Sequence, residues 1–167
     1  FTAEAGASTF IDHISRTVHS VALNGTELDV AKVDDGVRIQ LDDLAAENEL
    51  TVVSDALYVN TGEGLHRFVD PVDGEVYLYS QFEVPDARRM YTTFEQPDLK
   101  APFTFVVTAP ASWKVVSNAP TPQPEPLGDE KALWRFPATK PMSTYITALV
   151  AGEYHEVLDT YEGKHGT

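Results

Sequence analysis

The sequence predicts an all-β domain of two packed, mostly antiparallel sheets. Three observations carry that prediction. Asn-Gly and Asp-Gly dipeptides punctuate the chain, several segments alternate apolar and polar residues with a period of two, and helix signals are confined to two short stretches.

Asn24-Gly25 lies between "VHSVAL" and "TELDV", and Asp35-Gly36 between "LDVAKV" and "VRIQL". Both read as two-residue hairpin turns, because such turns need positive φ, which Gly, Asn and Asp tolerate. In "VRIQL", Val37, Ile39 and Leu41 point one way and Arg38 and Gln40 the other, as in a half-buried strand. "LDDLAAEN" offers a turn or two of helix before "ELTVVSDALYVN" resumes strand character. Asp73-Gly74 opens a further strand, "EVYLYSQFE", and "FTFVVTAP" and "WKVVSN" follow. "APTPQPEPLGDE" carries prolines at 120, 122, 124 and 126. Without donors it is expected to stay out of a ladder and form a loop. "ALWRF" and "TYITALVAGEYHEV" read as closing strands. "PDARRMYTTF" is the stronger helix candidate, with Asp86 as its N-cap.

Composition narrows the function. The 167 residues suffice for one domain that buries roughly two-thirds of its unfolded surface. The 26 acids outweigh 12 bases, for a net charge of −14, and such a surface repels nucleic-acid backbones and anionic lipid. Neither nucleic acid nor membrane is therefore expected as a partner. There is no cysteine, so disulfides and thiolate metal sites are excluded. Apolar runs such as "TYITALVAG" fall far short of the roughly 20 residues of a membrane span. The chain starts at Phe1 and stops at "YEGKHGT", which reads as a piece of a longer protein. No export signal is visible, and a cytoplasmic location is expected.

The histidines are His13, His19, His66, His155 and His165. "HEVLD" begins like H-E-x-x-H, but Asp159 stands where the second histidine belongs, so it reads as a surface His–Glu pair. No G-x-S-x-G occurs, and "TGEGLHRF" lacks most of a phosphate loop and reads as a turn. Glu83 and Glu95 can in principle form a glycosidase carboxylate pair, although paired acids are common by chance in so acidic a chain. One geometric feature stands out. If "VYLYSQFE" is a strand, Val76, Leu78, Ser80 and Phe82 turn to the core. Tyr77, Tyr79, Gln81 and Glu83 then share the opposite face, suited to a cationic or amide-bearing partner.

These residues also carry a resemblance. Gln-x-Glu at 81–83, Asp-Ala-Arg-Arg at 86–89, Gln-Pro-Asp-Leu-Lys-Ala at 96–101, Trp-x-Val-x-Ser-Asn at 113–118 and Pro-Met-Ser-Thr-Tyr at 141–145 occur in that order. The combination resembles the N-terminal domain of the aminopeptidase N family of zinc metallopeptidases, over nearly the whole chain. Phe94-Glu95 stands where the family usually has Phe-Asp, a conservative departure.

The resemblance implies one saddle-shaped, largely antiparallel β domain over 1–167, packed in the family against a helical zinc domain bearing G-A-M-E-N and H-E-x-x-H. Neither motif occurs here. Zinc is thus expected in the full-length protein, none bound by this chain, and this chain is expected to be inactive alone. Peptides are the implied substrates, and the catalytic domain is the implied partner. By motif, Glu83 is expected to bind the substrate's α-ammonium, and Gln81 to line the same pocket.

The remaining motif residues are expected to be structural. Arg88 and Arg89 hold the turn after the strand, Asp98 and Lys100 fix the entry to the next one, and Trp113, Trp134 and Tyr145 pack. A free-standing β-sandwich module that binds carbohydrate or protein through the Tyr-Tyr-Gln-Glu face is the alternative.

Overall fold

The structure, a computed structural model, describes residues 1–163. In chain order the first half holds β1 (Thr9–Asp12), β2 (Thr17–Leu23), β3 (Thr26–Glu27), α1 (Val30–Val33), β4 (Arg38–Leu41) and β5 (Leu50–Asp55). The second half holds β6 (Gly64–Val69), β7 (Val76–Gln81), β8 (Val106–Pro110), β9 (Lys114–Ser117), β10 (Glu125–Gly128), β11 (Lys131–Arg135) and β12 (Leu149–Gly152). Single 3₁₀ turns lie at Ala87–Arg89 and Thr144–Ile146. No helix among the described residues is long and apolar enough to cross a membrane.

The class is all-β and the named strand pairs are antiparallel, as the turn chemistry and alternation predict. Among the described residues the strands are distributed over four small sheets, ordered β1-β4, β3-β2-β5, β6-β7-β12-β9 and β10-β11-β8. Two apolar clusters hold them. Ile11, Val21, Leu23, Ile39, Leu41 and Leu44 tie the first two sheets together. Leu78, Val115, Trp134, Phe136 and Leu149 tie the other two. Each such aliphatic side chain contributes about 1.5–3 kcal/mol by leaving water, so these clusters dominate stability.

Several local expectations are corrected. Asn24-Gly25 does form the tight turn, with φ of 51° and 78° between paired Leu23 and Thr26. At Asp35-Gly36 only Gly36 is left-handed, and the Asp35 carboxylate accepts the N–H groups of Val37 and Arg38 instead. Ile39 and Leu41 are buried as predicted, but Val37 is exposed outside the strand. Residues 30–33 form α1 rather than strand, because Val30 and Val33 lie one helical turn apart and both pack on the first cluster. "LDDLAAEN" is not helical. The Asn48 side chain captures the Ala45 N–H and carbonyl, a local bond that competes with a helix.

Three further readings change. "GLHRFV" within the expected turn at 61–68 is strand β6, and only residues 60–63 bend. The proline segment does reach a ladder. Pro126 sits in β10 opposite Ala132, at a sheet edge where a missing donor is tolerated, with a bulge after it. The final stretch shrinks to the Thr144–Ile146 turn and β12, and residues 153–162 have no regular structure. His165 lies outside the described residues.

Gly152 shows how tightly β7 and β12 are apposed. Its φ is +153°, and a β-carbon there would lie 2.6 Å from the Val76 carbonyl oxygen. That oxygen is backbone and cannot swing away. Gly152→Ala is therefore expected to destabilise by about 1–3 kcal/mol, measured as a lower urea midpoint with unchanged slope.

Candidate functional site at the end of strand β7

Strand β7 carries the predicted alternation. Leu78 is buried, and the Ser80 hydroxyl accepts the Leu149 N–H from β12, so these residues face inward. Tyr77, Tyr79 and Gln81 face outward. The strand ends at Gln81, two residues sooner than expected, so Glu83 lies in a turn rather than on the strand face. Burial still alternates. Phe82 is 2% exposed, and Glu83 is exposed next to the half-buried Gln81. Among the described residues no ion pair engages the Glu83 carboxylate.

The turn is anchored from below and from the side. Phe82 meets Tyr91 edge-on at 6.0 Å, and Tyr91 also contacts Phe103 and Phe105. Burial raises the Tyr91 phenol to about 12, so it stays neutral, 2.6 Å from the Thr147 hydroxyl. The expected helix at 85–94 is reduced to the 3₁₀ turn, which Asp86 does not cap with its side chain. The Asp86 carboxylate accepts instead from Arg89 Nε at 2.6 Å. Arg89 also reaches Glu63 at 3.5 Å, and Arg88 reaches Asp12 at 3.6 Å. Both arginines thus hold the turn, as their sequence position implies.

Behind the turn, a groove of about 940 Å³ runs between the N-terminal segment and residues 94–101. Asp12, Arg38, Arg88 and Glu95 converge in it. Both Glu95 oxygens are shut off from solvent without a hydrogen-bonding partner, so Glu95 and Glu83 do not offer an open carboxylate pair. Burial raises the Glu95 pKa, opposed by the Arg88 guanidinium. Nearby, burial lowers the His13 pKa, opposed by Asp34, while the Thr92 hydroxyl lies 2.8 Å from Nδ1.

A carboxyl raised on folding contributes most at pH below its unfolded value, and that contribution is lost as pH rises through the folded one. Glu95→Gln is accordingly expected to raise the melting temperature at pH 7, with the difference vanishing below about pH 4. Melting curves of both proteins at the two pH values check it.

The outward face of the β6–β7 pair is aromatic. His66 stacks on Tyr79 at 4.7 Å and Tyr77 meets Tyr154 edge-on at 5.0 Å. With Phe68 and Asp70 these rings line a shallow bowl of about 400 Å³. The Tyr77 hydroxyl donates to Asp73, which raises its pKa to about 12. Exposed Val116 and half-buried Val150 continue the face across β12 and β9. Of the other motif residues, Trp134 is buried, Trp113 packs on the second cluster, and Tyr145 is half-buried. Asp98 and Lys100 are exposed, joined by a main-chain bond.

His155 and Glu156 are exposed in irregular chain. Among the described residues no three His, Cys, Asp or Glu side chains are grouped to hold a metal, so these residues do not fit a zinc ion. The Asp12–Arg88–Glu95 cluster escaped sequence reasoning, because 83 positions separate Asp12 from Glu95. The Asp86–Arg89 pair has i,i+3 spacing, but Asp86 reads in the sequence as an N-cap rather than as a partner of Arg89.

The chain is 55% identical over 161 residues to "Aminopeptidase N" of Streptomyces lividans, covering 96% of this chain and 18% of that protein. It is 38% identical over 92 residues to "Probable aminopeptidase 1" of Saccharolobus solfataricus, covering 55% of this chain and 12% of that protein. The chain thus spans less than a fifth of these relatives. The crystal structure of Legionella pneumophila aminopeptidase A in complex with aspartic acid superposes with a TM-score of 0.84, over all of this chain and 19% of that one, at 17% identity. That last likeness supports the fold alone. The sequence pattern of the Peptidase M1 N-terminal domain matches residues 18–146, and the chain belongs to that family.

Proposed function

We propose that this chain is the N-terminal β domain of a zinc aminopeptidase, and that Glu83, with Gln81, binds the α-ammonium of peptide substrates. The observation that carries the reading is the Gln81–Glu83 rim. There an exposed carboxylate that no ion pair engages among the described residues stands on a turn anchored by Phe82 and Arg89, in a chain of the M1 N-terminal family.

The chemistry is that of an exopeptidase, which must register where a peptide begins. A carboxylate screened from bulk water forms a strong charge-assisted bond to an ammonium. An internal amide nitrogen there is neutral and leaves the carboxylate unpaired, which is unfavourable once water is excluded. Glu83 then sets which peptide bond is cleaved. The screening is proposed to come from the catalytic domain, seated against the aromatic face that carries Tyr77 and Tyr79.

The zinc is proposed to be held by that other domain, since the described residues here do not fit it. This chain alone is proposed to be inactive. The coding sequence downstream of Thr167 tests the reading. G-A-M-E-N followed by H-E-x-x-H in frame is the expected result. A stop codon directly after Thr167 overturns it and favours a free-standing module that binds through the aromatic bowl.

A further inference from the structure

Gly64 begins β6 directly opposite Gln81, so the two positions share a sheet face. The space that a Gly64 side chain would fill is taken by Arg89. A β-carbon built on Gly64 would lie 3.0 Å from Arg89 Cβ and 3.2 Å from its Cδ. The Arg89 stem therefore lies across β6 on the face that carries Gln81. Its guanidinium is tied at both ends, to Asp86 within the turn at 2.6 Å and to Glu63 just before β6 at 3.5 Å. Gly64 itself has φ of +62°, a conformation that favours glycine.

We propose that Gly64 and Arg89 form a latch that fixes the turn of residues 82–86 against β6, with Arg89 as a positioning residue that presents Gln81 and Glu83 as a preset pair. The positioning half of this proposal rests on the substrate role given to Glu83 above. The latch half does not. Two independent restraints meet in one side chain. The missing side chain at Gly64 lets the stem lie on β6, and the head is held by two carboxylates, Asp86 within the turn and Glu63 just before β6. Removing either restraint frees the same segment. A charge contact on a loop loses much of its effect with a displacement of about 1 Å, so a turn pinned at its base serves recognition better than a mobile one.

The test uses the full-length protein with Arg89→Met, which keeps the stem and loses the ion pairs, and Gly64→Ala, which crowds the stem and keeps the charges. Arg89→Lys and Glu83→Ala accompany them. Amide hydrogen exchange at residues 82–86 is expected to quicken about tenfold or more in both latch variants. Their KM for an aminoacyl anilide is expected to rise about tenfold with kcat within about twofold, and Gly64→Ala is expected also to lower the melting temperature, because its φ of +62° favours glycine. Arg89→Lys is expected to recover part of the KM loss.

Unchanged exchange in Arg89→Met overturns the latch, whatever Glu83→Ala does. Faster exchange with wild-type KM, while Glu83→Ala is impaired, overturns the positioning role. Wild-type activity in Glu83→Ala overturns the reading of Glu83, and the positioning role with it, while the exchange data still decide whether the latch exists.

Discussion

Replacing Glu83 with alanine in the full-length protein is expected to lower kcat/KM for peptide substrates about a hundredfold or more, with zinc content unchanged. The expectation follows from what the carboxylate faces. It stands exposed at the end of β7, and among the described residues no ion pair occupies it. The loss of a charged acceptor from the site leaves the substrate's ammonium uncompensated once the site is covered. Truncation is expected to leave the fold intact, since Glu83 is exposed. Kinetics on a series of aminoacyl anilides, with metal analysis of the same samples, check both halves. A drop in bound zinc would mean that the residue serves the metal rather than the substrate.

Phe82→Ala is expected to produce the largest loss of stability, about 3–5 kcal/mol. The ring is 2% exposed and packs edge-on against Tyr91, which is itself fastened to Thr147. Domains of this size are stable by about 5–15 kcal/mol in total, so the variant approaches the limit of folding. Phe82→Leu refills much of the cavity and is expected to lose substantially less. Urea unfolding of the three proteins orders them. Because Phe82 immediately precedes Glu83, the leucine variant is also expected to bind substrate less tightly while remaining folded.

Much of the fold is legible in the sequence for identifiable reasons. Asn24-Gly25 has a single good backbone solution, and the alternation in "EVYLYSQF" admits one way of facing a core. The departures arise where distant partners decide. Glycines 62 and 64 look like a turn, yet the second begins β6, because β7 offers it a ladder and Arg89 needs the space. Val30 and Val33 lie on one face of a helical turn but on opposite faces of a strand, and packing of both on the first core selects the helical turn. Pro126 joins a ladder because β10 lies at an edge, a fact of topology that its own neighbours do not encode.

The rim was legible in part. Strand parity places Gln81 correctly, and the burial of Phe82 with exposure of Glu83 follows the same rhythm. That the strand stops at Gln81 was not legible, since the turn is fixed by Asp86, Arg89 and Glu63, the last of them 23 residues before Asp86. The Asp12–Arg88–Glu95 cluster was hidden for the same reason.

The account centres on a carboxylate that reads the charge of an incoming amino terminus. The most direct measurement compares inhibition by an amino-acid hydroxamate and its des-amino counterpart, in the full-length wild type and in Glu83→Gln. The wild type is expected to prefer the amine about a hundredfold or more, and the variant to lose at least tenfold of that preference, with the des-amino compound binding both proteins equally. An equal preference for the amine in the two proteins would contradict the account.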